Sequence, residues 1–393
     1  MSKGLLKLAV VAGEVSGDLL GGDLVAALKR RYDGPVELIG VGGEALEAQG
    51  LRSLFDYSEL SIMGFAQVIK QLPKLLARIR QTANTIIAAR PDVLLIIDSP
   101  DFTHRVAKKV RAALPDLPII NYVCPSVWAW KEYRAQKMLA YVDHVLAILP
   151  FEPAAMQRLA GPATSYVGHR LTVDASLVET RRQRALRAVS APDGEKTILL
   201  LPGSRSTEIR QLLPIFEQAV MELSRRNDRV RYLLPTVPRQ EALVRSLVEN
   251  WSVKPDIFVG QEAKWKAFVE ADAAVAASGT VILELGLAGV PVLSTYKTEW
   301  LARFVMSRIK VWTAALPNLI ADYVIVPELL NDVLRPGKVA RYMERLSNDT
   351  LERAAMLEGY DLVWQRMQTE EPPGEKAAAI LLDVLANKKP GHF

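Results

Sequence analysis

The chain has little of what would settle a function by itself. It contains one cysteine, Cys124, and four histidines in 393 residues. No intrachain disulfide can form, the paired Cys and His spacings of zinc sites are absent, and a reducing cytoplasm suits such a chain best. No stretch reaches the roughly 18 uninterrupted apolar residues of a membrane-spanning helix. The short apolar run at the N-terminus stops at Gly13 and Glu14 without a cleavage site, so it reads as a first strand and not as a signal peptide. No D-x-D occurs, which removes the obvious carboxylate pair for a divalent ion on a nucleotide diphosphate. No metal or other cofactor is expected.

What is present is a globular composition, 50% hydrophobic and 24% charged. The length exceeds one ordinary core and suggests two domains. A net charge of +5 favours phosphorylated ligands or an anionic membrane surface. Nucleic acid is not expected as a partner, because the basic residues are scattered along helices without a binding signature.

Short apolar runs alternate with amphipathic stretches from Leu8 to about Val167, the rhythm of a parallel α/β sheet. Strands are expected at Leu8 to Ala12, Val36 to Gly40, Val93 to Ile97, Ile119 to Val123 and His144 to Leu149. From Ala175 to Lys196 the composition turns to a charged helix, LVETRRQRALRAV, and then the rhythm restarts. Strands of a second parallel domain are expected at Thr197 to Leu201, Val230 to Leu234, Asp256 to Gly260, Asp272 to Ala277 and Val290 to Ser294. The expected boundaries are 1–172, 173–345 and a helical terminal segment, 346–393, that packs back.

Five constellations stand at strand ends, where doubly wound sheets place ligands. The first is Ala12-Gly13-Glu14-Val15-Ser16-Gly17-Asp18, whose G-x-x-x-G spacing does not match the dinucleotide fingerprint. It disfavours a nicotinamide dehydrogenase; the bland alternative is a glycine turn with Asp18 in the helix's first turn. Next, Asp98 and Asp101 directly follow an all-apolar strand, a position suited to general base work, although Asp101 could merely cap a helix. In PSVWAW, Ser126, Trp128 and Trp130 could line a ligand channel, with Trp130 read slightly more readily as core. LPGSRSTEI places Arg205 and the amides of Gly203 to Ser206 where a diphosphate would sit; pairing of Arg205 with a helix carboxylate is the alternative. Finally, Ser278, Gly279 and Thr280 open a helix that can hold phosphate oxygens, with Glu284 one turn on to accept ribose hydroxyls.

Two segments read as interfacial or as ordinary core-facing helices. In one, Phe65, Val68, Ile69, Leu72, Leu76 and Ile79 share a face opposite Lys70, Lys74 and Arg78. In the other, Trp300, Leu301, Phe304, Val305 and Trp312 mix with Arg303, Arg308 and Lys310.

Taken in order, AGEVSGD, Ile62-Met63-Gly64, DSPDF, PSVWAW, LPGSRSTEI, Ser278-Gly279-Thr280 with Glu284, and Ala315 to Asp322 (ALPNLIAD) form a set over nearly the whole chain. As a set they resemble the lipid-A-disaccharide synthase family. The resemblance implies the GT-B glycosyltransferase architecture, two Rossmann-like domains with C-terminal helices crossing back to the first. It implies an inverting transfer from UDP-2,3-diacylglucosamine to 2,3-diacylglucosamine 1-phosphate, forming a β-1,6 disaccharide and UDP. It further implies a metal-independent enzyme held peripherally on the cytoplasmic face of the inner membrane, and leaves a homodimer open. By motif match, Arg205, Ser278, Gly279, Thr280, Glu284 and Asn318 fall on the UDP site. Asp98 matches the catalytic base, and Glu14, Ser16 and Asp18 the N-terminal active-site motif, with Glu14 the next candidate for the base. A UDP-sugar 2-epimerase of the same architecture is the rival enzyme; a two-lobed solute-binding protein is disfavoured for want of an export signal.

Overall fold

The computed structural model describes residues 4–60, 65–187, 194–227, 229–297 and 310–387, the stretch 65–71 by its backbone alone. It divides into two compact units, Met1–Arg170 with Thr369–Phe393, and Leu171–Gln368.

The first unit is a parallel sheet of β1 (Leu6–Ala12), β2 (Val36–Val41), β3 (Val93–Ile97), β4 (Ile119–Tyr122), β5 (His144–Ala147) and β6 (Ala163–Tyr166), in the order β2-β1-β3-β4-β5-β6. Between them run α1 (Val15–Arg31), α2 (Glu44–Glu47), α3 (Phe65–Ala89), α4 (Pro100–Ala113), α5 (Tyr133–Met138) and α6 (Glu152–Arg158). All five residues of β3 are buried, because helices cover both faces of a parallel sheet and leave no polar side. Alternation along β1 separates the two cores. Leu8, Val10 and Ala12 join Leu24 and Leu28 of α1 on one face, while Ala9 and Val11 join Ile79, Ala83 and Ile86 of α3 on the other.

The second unit repeats the plan with β7 (Lys196–Leu201), β8 (Val230–Thr236), β9 (Asp256–Val259), β10 (Ala273–Ala277), β11 (Val292–Tyr296) and β12 (Glu328–Leu330), ordered β12-β11-β10-β7-β8-β9. Its helices include α7 (Ala175–Ala185), α8 (Ser206–Ser224), α9 (Glu241–Val248), α10 (Gln261–Glu270) and α11 (Thr280–Ala288). The edge strands β6 and β12 were not expected from the sequence; at four and three residues they are too short to carry a hydrophobic alternation.

The charged stretch read as a boundary is α7, an integral part of the second unit. Its arginines are scaffolding. Arg184 Nη1 donates to the carbonyls of Phe268 (2.7 Å) and Ala271 (2.6 Å), and its Nε donates to that of Gly289 (3.0 Å). One guanidinium thus satisfies carbonyls left over where α10 and α11 end. Arg187 pairs with the buried Asp272 at 3.0 Å.

The expected terminal segment from 346 is divided. Helix Leu351–Met367 stays with the second unit, and only helix Pro373–Ala386 returns to the first. There Ala377, Ala378 and Leu381 enter the core beneath α1, and Glu375 receives Arg30 and Arg31, each at 2.6 Å. The basic amphipathic face is likewise corrected. Ile79 is core, Arg78 pairs with Glu59 (2.8 Å) and lies over the Phe55 ring, while Leu72 and Leu76 remain 40% and 42% exposed. Ile62 to Gly64 and Trp300 to Ile309 lie outside the described residues, as do the side chains of Phe65, Val68, Ile69 and Lys70.

Because Ala378 is fully buried against the first unit, Ala378→Asp would place an unpaired charge there. The substitution is expected to lower that unit's stability by about 3 kcal/mol or more, read as a lower urea midpoint for its transition alone.

Candidate functional site

Each sheet has one point where the chain leaves two adjacent strands in opposite directions, and the loops beyond them part to open a crevice. In the first unit this lies between β1, which leads on to β2, and β3, which leads on to β4. Ala12 and Ile97 are paired at the ends of these strands, so the loops carrying Glu14 and Asp98 emerge side by side. Gly13 allows them to approach. A Cβ there would lie 2.6 Å from Ser99 Oγ, a distance no real contact reaches.

The Asp98 loop is strained. Asp98 and Ser99 both have left-handed backbones (φ 51° and 43°), and at the end of neighbouring β4 so does Val123 (φ 74°), which is uncommon for a β-branched residue. Such strain persists only where surrounding structure holds it, and it gathers at functional sites. Here Asp98 N donates to Tyr122 O (3.1 Å), Ser99 N to Asp98 Oδ1 (2.7 Å), and Thr103 Oγ1 to Asp98 O (2.6 Å). Asp98 lines a cavity of about 580 Å³ together with Asp101, Asn121, Ser126 and Trp130. Glu14, the N-cap residue of α1, and Ser16 in its first turn are exposed.

In the second unit the reversal falls between β7 and β10, and the loops behind those strands are LPGSR and Ser278-Gly279-Thr280. They meet around a cavity of about 530 Å³ lined by Gly203, Arg205, Thr236, Lys264, Ser278, Gly279, Thr280 and Glu284 among others. Gly203 has φ 104°, and a Cβ there would run into the Glu208 side chain, so only glycine fits this turn. Arg205 is largely exposed and pairs with Glu208 at 2.9 Å, the alternative weighed from the sequence, while still bordering the cavity. Glu284 is met by Lys264, 2.8 Å from its Oε2. Both cations are balanced by carboxylates of the same lining, and the N-terminus of α11 is what suits the cavity to a diphosphate.

Two expected site residues belong to the scaffold. Asp18 is buried, and its carboxylate accepts the N–H groups of Gly43 (2.7 Å), Ala45 (2.8 Å) and Leu46 (3.2 Å), which caps α2 instead of facing a ligand. Asn318, fully buried, uses its whole amide locally. Its Oδ1 accepts from the N–H groups of Ile325 and Val326, and its Nδ2 donates to Thr313 Oγ1 and Val326 O. It does not border the second unit's cavity. The tryptophans are exchanged relative to expectation. Trp128 packs on the core against Phe151 and donates to Glu152 at 3.3 Å, whereas Trp130 stands at the cavity rim with Lys131 Nζ 3.8 Å over its ring.

Sequence reasoning missed Lys264, Thr236, His104 and Glu152. Lys264 lies one turn into a helix with no motif around it, and Thr236 ends a strand with a buried hydroxyl that has no hydrogen-bond partner among the described residues. Burial lowers His104 to about 4, leaving a neutral imidazole hydrogen-bonded to Tyr141 Oη at 3.0 Å. Glu152 lies buried behind β5, where its carboxylate accepts from the N–H groups of Ile148 and Leu149 as well as Trp128.

Two parallel six-stranded units, each with a ligand-sized cavity at the carboxyl ends of its strands, define a protein of the GT-B class. Solved structures agree on the fold. A UDP-GlcNAc 2-epimerase from Neisseria meningitidis, bound to UDP-GlcNAc, matches 97% of this chain and 100% of its own with a TM-score of 0.56 at 13% identity. Acinetobacter baumannii MurG matches 98% and 99% with a TM-score of 0.55 at 16% identity. The family is shown by sequence. The model of the lipid-A-disaccharide synthetase family matches residues 8–371. Lipid-A-disaccharide synthases of Nitrobacter winogradskyi and Rhodopseudomonas palustris are 44% and 43% identical, over 98% and 96% of this chain and 96% and 95% of theirs. The chain belongs to the lipid-A-disaccharide synthetase family, and it is a glycosyltransferase of lipid A biosynthesis that takes a nucleotide sugar and a lipid acceptor.

Replacing Asn318 by Ala strands two buried N–H groups, Ile325 and Val326. The expected loss is about 3 kcal/mol of stability, read in urea, while the protein that remains folded binds UDP with unchanged affinity in calorimetry. Glu152 sets a pH dependence. Burial raises its carboxyl from 4.5 to about 7 despite three N–H donors. The native state therefore holds this proton more tightly than the unfolded chain, and the contribution of Glu152 to stability falls as pH rises from about 4.5 to about 7. Buried His104 and His169, both lowered to about 4, contribute the opposite slope in either protein, so the urea midpoint of Glu152→Gln should rise more steeply with pH across that window than that of the native protein.

Proposed function

We propose that the enzyme joins UDP-2,3-diacylglucosamine to 2,3-diacylglucosamine 1-phosphate through a β-1,6 linkage, with inversion at the anomeric carbon, releasing UDP. The observation that carries the mechanism is Asp98, held in a left-handed backbone at the strand reversal and lining the first unit's cavity. Asp98 takes the proton of the acceptor's 6-hydroxyl as that oxygen attacks the anomeric carbon, and the bond from that carbon to the UDP oxygen breaks on the opposite face. Glu14 and Ser16, exposed beside the Asp98 loop, bind the acceptor sugar. Asp18 acts only through the turn it caps.

The donor's UDP occupies the second unit's cavity. Gly279 and Thr280 offer their amides at the N-terminus of α11 to the diphosphate, Ser278 adds its hydroxyl, and Arg205 swings from Glu208 to neutralise charge on the departing UDP. Glu284, oriented by Lys264, accepts the ribose hydroxyls. Asn318 holds the backbone at Ile325 and Val326 and makes no contact with the nucleotide. With these cations and a helix N-terminus supplying the positive charge, the transfer needs no metal and proceeds in excess chelator.

The lipid substrates are drawn from the cytoplasmic face of the inner membrane. Exposed Leu72 and Leu76 on α3 support a peripheral contact, and among the described residues no helix is long and apolar enough to cross a membrane.

The test is UDP release in the presence of a chelator with both lipid substrates, with each alone, and with Asp98→Asn. UDP should appear only when both lipids are present. The substitution should lower turnover by about 10² to 10⁴ with UDP affinity little changed. Near-normal turnover in Asp98→Asn would move the base to Glu14, and conversion of the donor without acceptor would mark an epimerase.

A further inference from the structure

We infer that the cavity above β3 and β4 contains a subsite for a phosphate monoester, the one carried by the lipid acceptor; this rests on the acceptor assigned above. Four cations line that cavity: Arg105 and Lys108 from α4, Arg134 and Lys137 from α5. Among the described residues none of them forms an ion pair. Lys108 and Lys137 instead lie over the rings of Tyr141 and Tyr133, at 4.8 and 4.7 Å. Arg30, Arg31, Lys74 and Arg78 of the same unit each find a carboxylate, whereas these four are gathered on one cavity wall without such a pairing. Unpaired cations collected on two facing helices repel one another, and a bound anion relieves that cost.

The charge balance suits one anion in particular. Asp98 and Asp101 are the carboxylates on the cavity wall, so the lining carries two positive charges in excess. His104, buried at the cavity floor between Lys108 and Arg134, stays a neutral imidazole and adds no charge. Near neutral pH a phosphate monoester carries close to two negative charges and three acceptor oxygens. A sugar 1-phosphate also satisfies the geometry of the reaction. Its 1-phosphate on C1 and its 6-hydroxymethyl group on C5 flank the ring oxygen, so a phosphate held by α4 and α5 fixes where the 6-hydroxyl falls and presents it to Asp98 in the same cavity. The diphosphate of the donor has its own place at the N-terminus of α11 in the other unit, which leaves the acceptor's phosphate as the occupant of this one.

The subsite makes the phosphate a specificity determinant. The enzyme should prefer 2,3-diacylglucosamine 1-phosphate over 2,3-diacylglucosamine, measured as a ratio of kcat/KM for the two acceptors. In the doubly substituted protein Lys108→Ala with Arg134→Ala that ratio should fall by about tenfold or more, while Lys108→Arg should keep it. These side chains are exposed, and an unchanged urea midpoint checks that the double variant is folded. An unchanged ratio would overturn the subsite, and so would a rise in KM confined to the donor, which would place a nucleotide diphosphate there. Calorimetry with glucosamine 1-phosphate separates the two ways of failing. Binding by the native protein that is lost in the double variant, without turnover of either acceptor, would sink the transferase reading and keep the subsite. Turnover with equal preference and no binding would sink the subsite alone.

Discussion

Both units depend on a single constraint of parallel sheets: every strand ends on the same edge, and right-handed crossovers return the chain behind it. Where the strand order reverses, two such ends part and the loops beyond them are free to carry chemistry. In this chain the reversals fall between β1 and β3 and between β7 and β10. The central strands are mostly apolar and buried, and they act chiefly by bringing the Glu14 and Asp98 loops side by side and by delivering Asp98, Arg205 and Ser278 to the rims of two cavities.

Around those rims most polar residues serve the scaffold. Asp18 caps α2, Asn318 ties two segments of backbone together, Arg184 collects carbonyls where α10 and α11 end, and Glu152 accepts three N–H groups in a buried corner. The reason is common to all four. A buried N–H or C=O without a partner is expensive, and a side chain able to serve several at once is an efficient remedy. A conspicuous polar residue near a site is therefore as readily a brace as a reagent. The distinguishing feature is whether its hydrogen-bonding capacity is already consumed.

Charge divides the molecule's tasks as well. Arg30 and Arg31 fasten the returning helix Pro373–Ala386 to α1 through Glu375, and the α7 arginines serve the interior of the second unit. Arg105, Lys108, Arg134 and Lys137 have no such employment and face a cavity. The net charge of +5 is thus an average over cations with structural partners and cations without.

Much of this was legible in the residues themselves. Ten of the twelve strands announce themselves as short apolar runs, since a strand covered on both faces admits little else. The loops behind them stand out because glycine, serine, arginine and carboxylates follow such runs abruptly, and as an ordered set they name the family. Only the tertiary structure decided which side chains still have capacity to spare. Asp18 and Asn318 look like reagents in the sequence because motif position records proximity to a site but not the backbone groups, 25 and 8 residues away, that consume them. Lys264, Thr236 and the α4 and α5 cations carry no motif, and become visible only when separate loops and helices converge on one cavity. Sequence determined the sheets and the loops that matter, because burial and backbone conformation are local demands on residue type. Hydrogen-bond satisfaction and charge pairing are not local, and they were settled by the fold.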